Sequence, residues 1–420
     1  MTAPMLPAVV VGIDSPIGLT IVRDLGQDGI DVIGIGRSKH ALGMASRYLT
    51  KGLVRPREAA GLIDQLADLG HELGRACLFA VSENDIALLN RHRARLSAYT
   101  IMFADEARMN SVLNKDQTYR AAASVGVRTP RTEQAQIFEE VERFSQTLRF
   151  PVVLKWANPH EVAARLSAAR LALNKTRYCH SPQELLDYLR PYQKAGVYPL
   201  VQEYCAGYGL GQFILMKDGQ PHYTFQHRRL HEWPPEGGFS SMCESLPADS
   251  HQALMARSVA LLRALNWEGI AMVEYRHDPA TGESALMEIN GRFWGSLPLA
   301  RHAGARFPSI MHALASGGNR LQTLPYRAGV RCRYMIPETR RLLRILFAQH
   351  KIADKSLRFD RIGELAGYLA DFVRPDSRYY VFSFDDARPF FNDLRQILGK
   401  AASAVTQRLP GLKSTPAPGK

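Results

Sequence analysis

The chain has 420 residues, of which 46% are apolar and 22% charged, an ordinary globular balance that excludes a disordered polymer and favours two or three domains over one core. Five scattered cysteines, none in a CxxC pair, exclude a disulfide framework and a Cys-rich zinc site. The net charge of +13 is uneven: residues 331–420 carry 17 Lys+Arg against 9 Asp+Glu, a surplus that suits anionic partners. The N-terminus has no basic stretch ahead of an apolar one, and no run of about 18 apolar residues occurs, so a soluble, cytoplasmic protein is expected.

In chain order, AVVVGI at 8–13 predicts a buried strand, LTIVRDLGQDG an amphipathic helix and DVIGIG at 31–36 a second strand, together one βαβ unit. CLFAVS at 77–82 and YTIMFA at 99–104 extend this to an open parallel α/β domain, 1–110. NKDQTYRAAASVGVRTP reads as a helix stopped by Gly126, FPVVLKWA as a strand, SPQELLDYLRPY as a helix capped by Ser181, and YPLVQEYC as a strand. Two hairpins follow, one turning on Asp218-Gly219 and one at DPATGE, separated by the long helix HQALMARSVALLRALNW. This second part, 111–318, is α+β, with subdomains at about 111–205 and 206–318. The remainder, 319–420, is basic and ends in a Pro- and Gly-containing tail expected to be disordered from about 410.

Chemistry concentrates in MEINGRFWGS, 287–296. On a strand, Glu288 and Asn290 share one face and Met287 and Ile289 the other, with Arg292 on the polar face if the strand continues. Glu274 stands on an otherwise apolar strand, and if the DPATGE turn pairs the two strands it can lie near Glu288. Two carboxylates and an amide oxygen make a magnesium seat, since Mg²⁺ takes oxygen ligands and keeps room for phosphate and water; a solvated strand face is the plain alternative. Lys155, closing PVVL, and Lys115 upstream are cations that could meet phosphate. LVQEYC, running into Gly207 and Gly209, could present backbone groups to an adenine edge.

Taken in order, Lys115, KDQTYRAAASVGVRTP, Lys155, LVQEYC, Glu274 and MEINGRFWGS resemble the ATP-grasp superfamily across residues 1–318. The resemblance implies a Rossmann-like domain ahead of a two-subdomain ATP-grasp fold, with ATP and Mg²⁺, or Mn²⁺ in its place, as cofactors. It implies that Lys115 and Lys155 contact phosphates and that Gln202, Glu203, Tyr204 and Cys205 form the adenine hinge. Glu274, Glu288 and Asn290 would hold the metal, and Arg292 would stabilise the anionic intermediate. FQHRRLHEWPPEGGFSS at 225–241 is similar to a stretch in the branch of predicted carboxylate–amine ligases, which would turn Arg228, Arg229 and Glu232 toward the γ-phosphate or the acyl group. The implied activity joins a small-molecule carboxylate to an amine through an acyl phosphate, in a protein that could act as a homodimer.

Three positions depart from the family pattern. No glycine lies between Lys155 and Lys175, so Arg165 or Lys175 would have to clamp the phosphates. GYGLGQ lacks the acid that holds the ribose, and Trp156 replaces a smaller residue. A non-catalytic ATP-binding regulator is the first alternative. VVGIDSPIG with Arg37 suggests an NADP-dependent oxidoreductase as a second, although Asp14 would repel a pyrophosphate. In ETRRLLRILFAQHK, Leu342, Leu343, Leu346 and Phe347 are expected along one side with Arg340, Arg341, Arg344 and Lys351 around them. That helix would either dock on the ATP domain or meet an anionic membrane or substrate. No recognition motif for nucleic acid accompanies the charge.

Overall fold

A computed structural model of the chain describes residues 5–408, apart from 157–158, 175, 317–324 and 356. Lys175 and the tail from about 410 therefore lie outside the described residues. The chain forms two compact units, one of residues 1–106, 292–325 and 378–420, the other of 107–291 and 326–377. The basic C-terminal region is thus divided between the two.

The first unit is built on a parallel sheet. In spatial order its strands are Lys51–Val54, Val32–Gly36, Ala8–Val11, Ala76–Ala80 and Tyr99–Ile101. The three inner strands are wholly buried, as expected where helices cover both faces. The edge strand Lys51–Val54 escapes sequence reading because its residues are mostly exposed and show no apolar run. Helix Pro16–Gln27 is started by Ser15, whose hydroxyl accepts from the Gly18 amide, and by proline in its first turn. A Cβ on Gly18 would sit 2.3 Å from the Gly12 carbonyl oxygen, so this glycine lets the helix pack onto the strand.

The second unit holds two antiparallel sheets. The smaller has the order Thr132–Glu133, Leu200–Glu203, Val152–Lys155, Thr176–Cys179. Its core contains Val152, Leu154, Cys179, Leu185, Val201 and Tyr192, and Trp156 packs against Tyr192 at a ring separation of 5.9 Å. The departure at Trp156 thus fills a packing site. The larger sheet has the order Ser284–Asn290, Gly269–His277, Tyr208–Lys217, Gln220–Trp233, Phe239–Ser245, Arg331–Arg333, Ser377–Tyr379. Asp218 and Gly219 both adopt positive φ, 51° and 68°, the mirror-image turn that matches the twist of a two-residue hairpin.

The C-terminal segments show where the apolar pattern misleads. Helix Met335–Phe347 buries Pro337, Glu338, Arg341, Leu342 and Ile345, while Leu343 and Phe347 are exposed. Of the expected apolar side, Leu342 is buried, Leu346 is half-buried, and Leu343 and Phe347 are exposed, so it is only partly the docked one. Ion pairing redirects it: Arg341 makes a two-pronged bridge to Glu364 at 2.6 and 2.9 Å, and Glu338 accepts from Ser241 at 2.7 Å and meets His231 Nδ1 at 2.5 Å. Among the described residues no helix is long and apolar enough to cross a membrane.

In the first unit the C-terminal segment is tied to the N-terminal helix by a buried ion pair. Arg23 Nε donates to Asp386 at 2.9 Å, with side chains only 2% and 1% exposed, and Asp386 also accepts from Ser46 Oγ and the Arg47 amide. Removing one partner strands the other charge in a dry site. Asp386→Ala should destabilise this unit by about 3–5 kcal/mol, measured as a fall in the denaturant midpoint. An unchanged midpoint would show the pair to be dispensable.

Candidate active site

The second hairpin fixes the centre of the site. Strands Gly269–His277 and Ser284–Asn290 pair so that Glu274 lies directly opposite Glu288 and Met272 opposite Asn290. A bulge intervenes, with Tyr275 opposite Leu286, so Met287 is the extra residue. Met287 is consequently half-exposed rather than in the core, whereas Ile289 is buried as expected. Glu288 is exposed, and its Oε1 accepts from Asn290 Nδ2 at 3.0 Å, which leaves Asn290 Oδ1 as the second available oxygen.

Glu274 is only 12% exposed and is bridged by Arg229 Nη2 at 2.5 Å. Burial pushes its carboxyl up to about 7, against the pull of Arg229, while Glu288 and Glu232 add repulsion. Arg229 in turn donates to Glu232 at 3.2 Å and to the Gly238 carbonyl at 2.8 Å. Burial disfavours its charge, but Glu274 and Glu232 outweigh this and hold it above the ordinary arginine value. Arg276 Nη1 lies 3.3 Å from Glu232, completing an alternating row of Arg276, Glu232, Arg229 and Glu274. Arg276 was missed in the sequence, although alternation from Glu274 along one strand was enough to place it on this face.

Gly209 makes room for the row, since a Cβ there would stand 2.6 Å from Arg229 Cδ and 3.1 Å from Glu232 Oε1. GYGLGQ is thus strand, part of Tyr208–Lys217, and not a loop, with only Gly207 at positive φ before it. Arg228 is not brought to the row. Successive strand residues face opposite sides, and Arg228 bridges Glu244 at 2.6 Å, which also holds Arg331 at 3.2 Å.

The smaller sheet adds cations. Lys155 Nζ is 3.4 Å from Gln202 Oε1, and its pKa is lowered by burial first and by Lys115 second, with Glu288 and Glu274 pulling it back up. Lys115, exposed at the start of helix Lys115–Ser124, is therefore within electrostatic reach of Lys155. Tyr119 on the same helix is raised by burial and feels Gln202, Cys205 and Glu288, so it belongs to the cluster, with no sequence signal beyond its place one turn after Lys115.

The expected hinge is half committed to its own structure. Gln202 Nε2 donates to Thr132 Oγ1 at 3.0 Å, and Glu203 is bridged by Arg128 and accepts from the Arg131 amide at 3.1 Å. Tyr204 stacks edge-on to Tyr178 at 6.1 Å, and Cys205 Sγ lies 3.8 Å from Arg128 Nη1. Where a glycine-rich loop would follow Lys155, the chain forms helix Pro159–Ala168, with Arg165 exposed on it.

Arg292 belongs to the first unit. The strand ends at Asn290, so alternation does not extend to it, and its Nε donates to Glu83 at 2.9 Å while Nη1 donates to the Phe293 carbonyl at 3.0 Å. Glu83 opens helix Glu83–Arg91, capped by Ser82. In the same unit the Asp14 carboxylate accepts from the Arg37 amide at 3.0 and 3.2 Å. An acid thus occupies the strand-to-helix crevice in which a dinucleotide phosphate would sit.

Among the described residues no group of three His, Cys, Asp or Glu side chains is arranged to hold a metal unaided. Two facing carboxylates and one amide oxygen instead match a cation that takes few protein ligands and fills its shell with phosphate and water.

The architecture is the ATP-grasp fold, with a parallel-sheet domain ahead of it. The biotin carboxylase domain of 2-oxoglutarate carboxylase from Hydrogenobacter thermophilus, seen as a dimer with MgADP and bicarbonate, superposes with a TM-score of 0.56 at 15% identity, over 78% of this chain and 74% of its own. L-amino acid ligase from Bacillus licheniformis gives 0.55 at 14% identity over 77% and 78%. N5-carboxyaminoimidazole ribonucleotide synthetase, as an ADP complex, gives 0.56 at 15% identity over 79% and 82%. No family model matches the sequence, and no curated protein matches it.

Because Arg229 balances Glu274 and Glu232, Arg229→Ala should lower the stability of the second unit by about 3–5 kcal/mol, with Arg229→Lys losing less. Chemical denaturation of both variants reads this directly. Equal, negligible losses would mean that the row is solvated rather than structural.

Proposed function

We propose that the protein is an ATP- and Mg²⁺-dependent ligase that activates a small-molecule carboxylate as an acyl phosphate and joins it to an amine. The observation that carries this reading is the facing register of Glu274 and Glu288, with Asn290 beside them and Lys155 and Lys115 within electrostatic reach. The fold shared with an amino acid ligase, and with a biotin carboxylase domain and a ribonucleotide synthetase each seen with ADP, supports it.

In this reading the carboxylate oxygen attacks the γ-phosphorus and ADP leaves; the amine nitrogen then attacks the acyl carbon, phosphate leaves and the nitrogen gives up a proton. Glu274, Glu288 and Asn290 would hold magnesium, which supplies charge neutralisation at phosphate oxygens. Lys155 and Lys115 would bind the phosphate chain, and Gln202 to Cys205 would border the adenine. Arg229, fixed by Glu274 and Glu232, offers positive charge without reorganisation where negative charge develops. Arg228, turned to Glu244, would act only through the sheet. A dimer, as in the carboxylase domain, fits this reading.

The helix Pro159–Ala168 in place of a glycine-rich loop favours one second reading, a regulator that binds ATP without turning it over. Phosphate release from ATP, screened across pooled carboxylic acids and amines with mass spectrometry of products, separates the two. Nucleotide binding with no product in any pool would favour the regulator.

Glu288→Ala and Asn290→Ala should each reduce ligation at least a hundredfold while leaving the unfolding midpoint within about 0.5 kcal/mol, as for surface substitutions. Binding of Mn²⁺ with nucleotide, followed by electron paramagnetic resonance, should be lost in parallel. Retained ligation in either variant would remove the metal assignment.

A further inference from the structure

Helix Arg361–Ala370 of the second unit is turned the opposite way from an ordinary surface helix. Its polar residues face inward: Glu364 bridges Arg341, and Tyr368 bonds Thr339 Oγ1 at 2.8 Å. Beneath it the wholly buried Arg333 stacks on Tyr368 and Phe372, at 4.5 and 4.7 Å, and donates to the Tyr368 carbonyl. The helix itself has no buried residue. Its apolar residues face outward at i, i+3, i+7 and i+10/i+11: Ile362 is 81% exposed, Leu369 57% and Val373 84%, with Leu365 and Phe372 between them. Leu343 and Phe347, 49% and 76% exposed, stand on helix Met335–Phe347, which packs against this one. An apolar helix face held outward by buried polar anchors needs an occupant.

Charge selects that occupant. Between residues 340 and 374 the acids are committed: Asp354 and Asp371 are buried, Glu364 is bridged, and Asp360 caps the helix through the Ile362 and Gly363 amides. The exposed cations in and before the helix and on its neighbour are Arg340, Lys351, Lys355, Arg358 and Arg361, against one exposed acid, the capping Asp360. A second copy set against this face would bring up a border that is again mainly basic, with Asp360 as its one exposed acid, so like charges would crowd around the apolar contact. An anionic bilayer offers hydrocarbon for the apolar face and phosphate for its basic border at once.

We infer that the outer face of helix Arg361–Ala370, with Phe372 and Val373 just after it, docks the protein on an anionic lipid surface, lying in the interface without crossing it. The anchoring segment is thus this helix and not the preceding one, whose expected apolar side is partly buried.

Co-sedimentation of the full chain with vesicles tests this and needs no substrate, so it stands or falls apart from the ligase reading. Binding to phosphatidylglycerol-containing vesicles should exceed binding to pure phosphatidylcholine at least tenfold in 50 mM salt and weaken in 0.5 M salt. The pair Ile362→Asp and Leu369→Asp should reduce binding at least tenfold with an unchanged melting temperature. Arg358→Ala with Arg361→Ala, which leaves the apolar face intact, should reduce it by about fivefold per charge. Equal binding to both vesicle types, or none, overturns the inference. So does a dimer in light scattering that the aspartate pair dissociates, since a second copy would then own the face.

Discussion

Burying the Glu274 carboxylate in the middle of a sheet is the constraint around which the second unit is arranged. A lone buried acid would be neutralised or expelled, and here Arg229 compensates it at 2.5 Å. That guanidinium needs its own company, which Glu232 and the Gly238 carbonyl supply, and it needs space, which the missing side chain of Gly209 supplies. Removing water from this row also fixes the direction of each charge. The same packing that stabilises the hairpins therefore holds the buried Glu274 opposite the exposed Glu288, with Asn290 beside it.

The first unit and the C-terminal segments follow a similar logic of buried charge. Arg23 with Asp386, and Arg341 with Glu364, clamp late parts of the chain with two-sided hydrogen bonding. Such pairs are costly to desolvate and contribute less to net stability than to fixing one arrangement. At helix Arg361–Ala370 they determine which face is presented, and the apolar side is the outer one.

A sequence near 15% identity to its structural neighbours can keep their fold because the requirements at most positions are generic. Apolar strands, a two-residue turn at Asp218-Gly219 and a capped helix at Ser181 can be satisfied by many sequences.

The sequence by itself determined the parallel first sheet and the two hairpins, and so that Glu274 and Glu288 stand on neighbouring strands, because these depend on local periodicity and on turn residues; the bulge at Met287 then set one opposite the other. It also placed Lys115 and Lys155 on the correct elements. Only the tertiary structure separated Arg228 from Arg229 in role, since partners on neighbouring strands decide what each guanidinium meets. It alone paired Arg276 with Glu232, brought Tyr119 to the cluster, committed Glu203 to Arg128, and made Met287 a bulge. Helix Met335–Phe347 marks the limit most clearly: its apolar residues suggested one buried side, and ion pairs from Glu338 and Arg341 to distant residues selected another. Periodicity reports which side chains avoid water, while long-range charge pairing, invisible along the chain, decides which of them succeed.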